Sequence, residues 1–181
     1  MTKGFFLPYQ TRWLADKSKI KIWEKSRRIG ATFVQSNEDC QDVAKGLFDV
    51  WFSSADDSAA QEYIEYGRYW LKKLNAPFQY MGEDLLDEDK DITAYRIRMK
   101  NGKRINAMSS NPKRFRSKGG KVVLDEFGFH EQPDELWKAA RPTITWGFPL
   151  RILSTHNGRN CLYYDFVERT KKGELPWSLH T

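Results

Sequence analysis

The amino-acid sequence predicts an α/β fold with a central, mostly parallel β-sheet flanked by helices. Three observations carry that expectation. Strand-like and helix-like stretches alternate through the first half of the chain. Two later apolar runs, Lys121-Val-Val-Leu-Asp125 and Leu150-Arg-Ile-Leu-Ser154, are short and nearly continuous, as strands buried on both faces are. Each of those runs ends in polar residues, and ligands of such sheets bind at the carboxyl ends of the strands.

Taken in order, Ile20-Lys-Ile-Trp-Glu24 alternates apolar and polar residues as a strand does, then breaks at Gly30 into a helical stretch running to about Phe48. Phe48 to Phe52 is a second strand. Ser54 and Asp57 resemble a capping box that opens a helix with Ala60, Tyr63, Ile64, Gly67, Trp70, Leu71 and Leu74 on its apolar face. Thr93 to Lys100 and Arg104 to Met108 flank Asn101-Gly102, the signature of a hairpin. The acidic run from Glu83 to Asp91 reads as a solvated loop rather than a metal site. Helices are expected at Pro133 to Arg141 and Cys161 to Lys171, and Pro176 to Thr181 looks like a strand that has barely begun. This alternation implies right-handed crossovers and helices on both faces of the sheet.

With 181 residues, 40% of them hydrophobic, the chain is long enough for one well-buried core and short for two catalytic domains. Seven tryptophans and eleven phenylalanines argue for order throughout. The formal charge of +6 makes a polyanionic partner plausible. Its cations crowd two segments: Lys17, Lys19, Lys21, Lys25, Arg27 and Arg28, then Lys113, Arg114, Arg116, Lys118 and Lys121. Cys40 and Cys161 lack a second ligand at metal-binding spacing, and read as thiols in a reducing compartment. No apolar run reaches membrane-spanning length and no signal peptide is visible, so the expected location is the cytoplasm, without membrane contact.

The chemistry concentrates in three places. Lys25-Ser26-Arg27-Arg28-Ile29-Gly30-Ala31-Thr32 departs from the usual phosphate-binding loop, because Ala31 stands where the lysine belongs. Its physical needs are still met: Gly30 permits close approach, the following helix offers N–H groups, and the Thr32 hydroxyl suits Mg²⁺. Read alone, the segment is more often a basic strand-to-helix turn, since isolated Gly-x-Thr matches are common by chance. Asp125-Glu126 changes that weight, since a buried strand ending in two adjacent acids suits an ATPase, the first acid serving Mg²⁺ and the second polarising water. Ser154-Thr155 ends another apolar strand with hydroxyls that can sense a γ-phosphate.

In the order of these motifs, and in a lysine moved to the front of the loop (Lys25, Arg27, Gly30, Thr32), the chain resembles the large terminase subunit of tailed bacteriophages, the motor ATPase that packages DNA into proheads. The resemblance covers nearly the whole chain and implies a P-loop NTPase fold of the ASCE type. It implies an adenine-contacting motif at Pro8-Tyr9-Gln10, with Tyr9 stacking on the base and Gln10 reading its edge. Lys25, Ser26, Arg28, Ile29, Gly30, Ala31, Thr32 and Phe33 would bind nucleotide, with Lys25 on the β and γ phosphates. Thr32 and Asp125 would hold Mg²⁺, while Glu126 orients water and Arg27 neutralises transition-state charge in its own or a neighbouring site. Ser154 and Thr155 would couple hydrolysis to motion.

Arg116 and Lys118, just before the Asp125 strand, read either as a loop touching nucleotide, DNA or a neighbouring subunit, or as a plain basic turn. The implied cofactors are ATP and Mg²⁺. The implied partners are double-stranded DNA, further copies in a ring on a portal, and a small terminase subunit, in the cytoplasm of an infected bacterium and not in the mature virion. Residues 1–181 would form the ATPase domain, without the carboxyl-terminal nuclease. Two alternatives remain open from the residues: a helicase-like P-loop translocase, and a DNA-binding or assembly module of the same fold without hydrolysis.

Overall fold

A computed structural model describes residues 4–87, 92–109 and 119–181. In chain order the elements are α1 (Pro8–Ala15), β1 (Ile20–Glu24), α2 (Ala31–Ala44), β2 (Val50–Ser54), α3 (Asp57–Lys73), β3 (Phe78–Asp87), β4 (Ile92–Met99), β5 (Arg104–Ser109), β6 (Lys121–Asp125), a 3₁₀ turn (Phe127–Phe129), α4 (Pro133–Thr145), β7 (Leu150–Ser154), α5 (Leu162–Lys171) and β8 (Ser178–His180). Among the described residues the strands form one eight-stranded sheet in the order β3-β4-β5-β2-β6-β7-β1-β8. β5, β2, β6, β7, β1 and β8 run parallel, while β3-β4-β5 is an antiparallel meander at one edge.

Residues alternate faces along each strand, so the sheet divides the core in two. Val50, Phe52, Val123, Trp23 and Leu153 pack under α1, α2 and α3, with Val34, Cys40, Tyr63 and Leu71. Trp51, Val122, Leu124, Leu150 and Ile152 face α4 and α5, with Leu136, Ala140, Phe166 and Val167. Phe52 and Tyr63 stack with ring centroids 3.8 Å apart, fixing α3 over β2.

Several expectations need correction. The acidic run does not begin as a loop: Glu83 to Asp87 continue β3, paired with β4 in antiparallel register. Glu88, Asp89 and Asp91 of that run lie outside the described residues. α2 ends at Ala44 and β2 starts at Val50, with Gly46 at φ 74° turning the chain between them. The cap of α3 is Asp56, whose carboxylate accepts from Ala59 N–H at 2.7 Å. α4 runs on through Pro142 to Thr145. The basic clusters also divide, because Lys21 and Lys121 are fully buried and so are withdrawn from any polyanion.

Those two lysines belong to an ionic network beneath the sheet. Glu38 of α2 accepts from Lys21 of β1 at 2.7 Å, Lys121 of β6 at 2.8 Å and Arg151 Nε of β7 at 2.8 Å. Lys121 also meets Asp39 at 2.7 Å and Asp42 at 2.8 Å. Burial opposes ionisation of Glu38, yet Lys121, Arg151 and Lys21 together hold its carboxyl well below the usual range. Burial lowers Lys21 to about 8 despite the attraction of Glu38.

Candidate nucleotide-binding site

Three of the strands that carry these cations end, at their other tips, in the three predicted motifs. β1 leads into Lys25, β6 ends at Asp125 and β7 ends at Ser154, and parallel pairing of β7 with both β1 and β6 sets the tips side by side. Lys25 N–H donates to the Ser154 carbonyl at 3.1 Å, which joins the first motif to the third through the backbone.

The segment after β1 turns sharply into α2. Arg28 has φ 59° and Gly30 φ 72°, so the chain passes twice through left-handed backbone before the helix starts at Ala31. Glycine at position 30 satisfies a steric need as well, because a Cβ there would lie 3.1 Å from Gln10 Nε2. The first turn of α2 presents its N–H groups to the cleft, the arrangement that favours phosphate.

Thr32 Oγ1 donates to Asp125 Oδ2 at 2.6 Å, and Lys25 Nζ pairs with Glu126 Oε1. Asp125 Oδ1 accepts from Glu126 N–H at 3.0 Å, and Glu126 Oε2 lies 3.4 Å from Thr155 N–H. Loop, acid pair and third motif therefore meet around one acid. Glu126 itself sits at φ 49°, a conformation a glutamate adopts only when its surroundings hold it. The 3₁₀ turn after it supplies the hold: Gly128 N–H donates to Ser154 Oγ at 3.0 Å, and His130 Nε2 lies 2.9 Å from the Asp125 carbonyl oxygen. Burial pushes the Asp125 carboxyl up to about 6, with Lys25 and Thr32 opposing it.

A cleft of about 370 Å³ is lined by Lys25, Ser26, Arg28, Ile29, Gly30, Ala31, Thr32 and Phe33, with Glu126 at one end. Glu62 and Tyr66 of α3, which sequence reasoning missed, form part of its wall. Their spacing of four on α3 was the available signal. A second hollow of about 580 Å³ adjoins it at Glu126 and is bounded by Arg27, Arg28, Asp56, Phe129 and Thr155.

Tyr9 and Gln10 do not line that cleft. The Tyr9 hydroxyl donates to the Ile29 carbonyl at 3.1 Å, Gln10 Nε2 donates to the same oxygen at 2.9 Å, and Gln10 Oε1 accepts from Leu7 N–H. Both brace the loop from behind. His156, next to Thr155, lies 2.6 Å from Glu24, which also accepts from Lys171 of α5. Arg116 and Lys118 lie outside the described residues.

The donor set fits a hard divalent cation of the Mg²⁺ kind. No group of three or more His, Cys, Asp or Glu side chains is clustered for metal among the described residues, so a cation here would rest on one carboxylate, one hydroxyl and oxygens brought by phosphate or water. Ser54, at the tip of β2, has a buried hydroxyl without a hydrogen-bond partner among the described residues.

A family model described as terminase large subunit, T4likevirus-type, N-terminal, matches residues 22–181. The chain belongs to the terminase large subunit family. It is 39% identical over 183 residues to the Mu-like prophage FluMu protein gp28 of Haemophilus influenzae, covering 98% of this chain and 36% of that protein. It is 38% identical over 184 residues to the probable terminase large subunit gp28 of Escherichia phage Mu, covering 97% and 33%. The chain thus spans about one third of the length of these curated relatives. Among solved structures it resembles the large terminase of a thermophilic bacteriophage in complex with ATP-gamma-S, with TM-score 0.68 at 15% identity, over 97% of this chain and 45% of that one. It also resembles the large terminase ATPase domain of Thermus phage P74-26, with TM-score 0.61 at 17% identity, over 87% and 67%. At these identities the structural likeness shows the shared fold alone.

Proposed function

We propose that this domain hydrolyses ATP with Mg²⁺ and so powers translocation of viral double-stranded DNA into a prohead. The observation that carries the reading is the meeting of Thr32, Asp125, Lys25 and Glu126 at one cleft over the start of α2. Thr32 and Asp125 would hold the metal, which neutralises charge on the transferring phosphoryl group. Lys25 occupies the role of the lysine missing at Ala31, reaching the phosphates from the β1 side. Glu126 would orient the attacking water, and its contact with Thr155 would pass the state of the cleft to the third motif. Arg27, which lines the adjoining hollow rather than the cleft, would serve transition-state charge across that opening.

The family supports the remaining context: residues 1–181 as the ATPase part of a longer packaging protein, with DNA, further copies in a ring on a portal, and a small terminase subunit as partners in the infected cell's cytoplasm. No described helix is long and apolar enough to cross a membrane.

Glu126→Ala tests the assignment. Turnover should fall by at least about a thousandfold while Mg²⁺-ATP still binds, measured by phosphate release and by titration. Turnover at the level of the unaltered protein would remove Glu126 from the mechanism. Lys25→Ala should weaken nucleotide binding, and an unchanged affinity would show that another cation grips the phosphates.

A further inference from the structure

The nucleoside end of the cleft is unassigned once Tyr9 and Gln10 are seen to brace Ile29. The phosphate segment ends at Phe33, whose ring meets Tyr66 edge-on with centroids 5.2 Å apart. Tyr66 in turn donates its hydroxyl to Glu62 Oε1 at 2.5 Å, and both residues face the cleft. Burial, then the neighbouring Glu62, push the Tyr66 phenol up to about 12, so it remains a donor at neutral pH.

A carboxylate in this wall is the wrong charge for phosphate. Glu62 is separated from that role by chemistry, since carboxylate and phosphate repel. What a carboxylate suits is a hydroxyl pair: it offers two oxygens with several lone-pair sites, of which the phenol takes one direction. A carboxylate on ribose hydroxyls is a known solution in other nucleotide folds.

We propose that Glu62, aimed by Tyr66, accepts hydrogen bonds from the ribose hydroxyls of the bound nucleotide and so selects ribonucleotides over deoxyribonucleotides. This rests on the nucleotide reading above. Such selectivity would matter to a protein that works beside DNA, where deoxynucleotides share the phosphate chemistry but lack the 2′-hydroxyl.

The experiment is equilibrium titration of the whole 181-residue protein with Mg²⁺ and ATP, 2′-deoxy-ATP or 3′-deoxy-ATP. The unaltered protein should prefer ATP by roughly tenfold over 2′-deoxy-ATP, the scale of one hydrogen bond to a charged group. Glu62→Ala should reduce that preference to about twofold or less while leaving affinity for the same deoxy analogue unchanged, and Tyr66→Phe should fall between. An unaltered protein that binds all three nucleotides equally overturns the proposal and leaves the ATP reading standing. So does a Glu62→Ala variant that keeps the preference, or that loses all three nucleotides alike. A protein that binds none of them overturns both readings together.

Discussion

Burial at the centre of the sheet raises the Asp125 carboxyl from its ordinary 3.8 to about 6, and the sign of the resulting pH effect follows directly. The unfolded chain ionises this group at lower pH than the folded protein does, so its stabilising contribution is complete below the unfolded value and is lost as pH rises through the folded one. For the metal-free protein that loss is on the order of 3 kcal/mol between about pH 4 and pH 7. Asp125→Asn should therefore raise the midpoint of denaturant unfolding at neutral pH and leave it nearly unchanged near pH 4. Equal shifts at both pH values would show that the carboxyl is ionised normally. At Gly30, where φ is 72° and Gln10 stands behind, an alanine should cost about 1–2 kcal/mol in the same assay and displace the loop. The need for glycine was legible from sequence. The strained φ of Glu126 was not, because a glutamate gives no local sign of left-handed backbone.

At the scale of elements, α2 is fastened by charge more than by apolar contact. Its buried face carries Gln35, Asn37, Glu38 and Asp39, a polar row that reads as solvent-facing by periodicity. Its partners, Lys21, Lys121 and Arg151, come from strands far apart in sequence, so no local pattern could reveal them. Glu38→Gln should cost about 3–5 kcal/mol, since it leaves buried cations without their shared acid. Replacing Glu38, Asp39 and the three cations together with apolar residues should recover much of that loss. Denaturant midpoints of the two variants distinguish a necessary ionic hub from a replaceable one. The same interior explains why the basic clusters in the sequence overstated the charge on offer, while the acids hid a strand at β3.

For the whole molecule, the six parallel strands sit between two helix layers, whereas β3 and β4 extend the sheet as an antiparallel flap at its edge. Stability is distributed accordingly, because edge strands have fewer neighbours to open against. Hydrogen exchange should be slowest in β2, β6, β7 and β1, and faster by about a hundredfold or more in β3. Uniform protection across the sheet would mean that the flap is part of the cooperative core. The parallel centre was readable, since βαβ alternation and apolar runs both point to it. The flap was less so, as only the Asn101-Gly102 turn announced it and its outer strand is written in acids.

Under the proposed function, the pairing of Lys25 with Glu126 would have an operational meaning. Lys25 and Glu126 neutralise each other at the cleft. A triphosphate, more negative than a single carboxylate, would compete for Lys25 and release Glu126 by the same act. On the proposed function the pair would act as an interlock: the acid that would arm a water molecule would be freed by the arrival of the molecule that water is to attack.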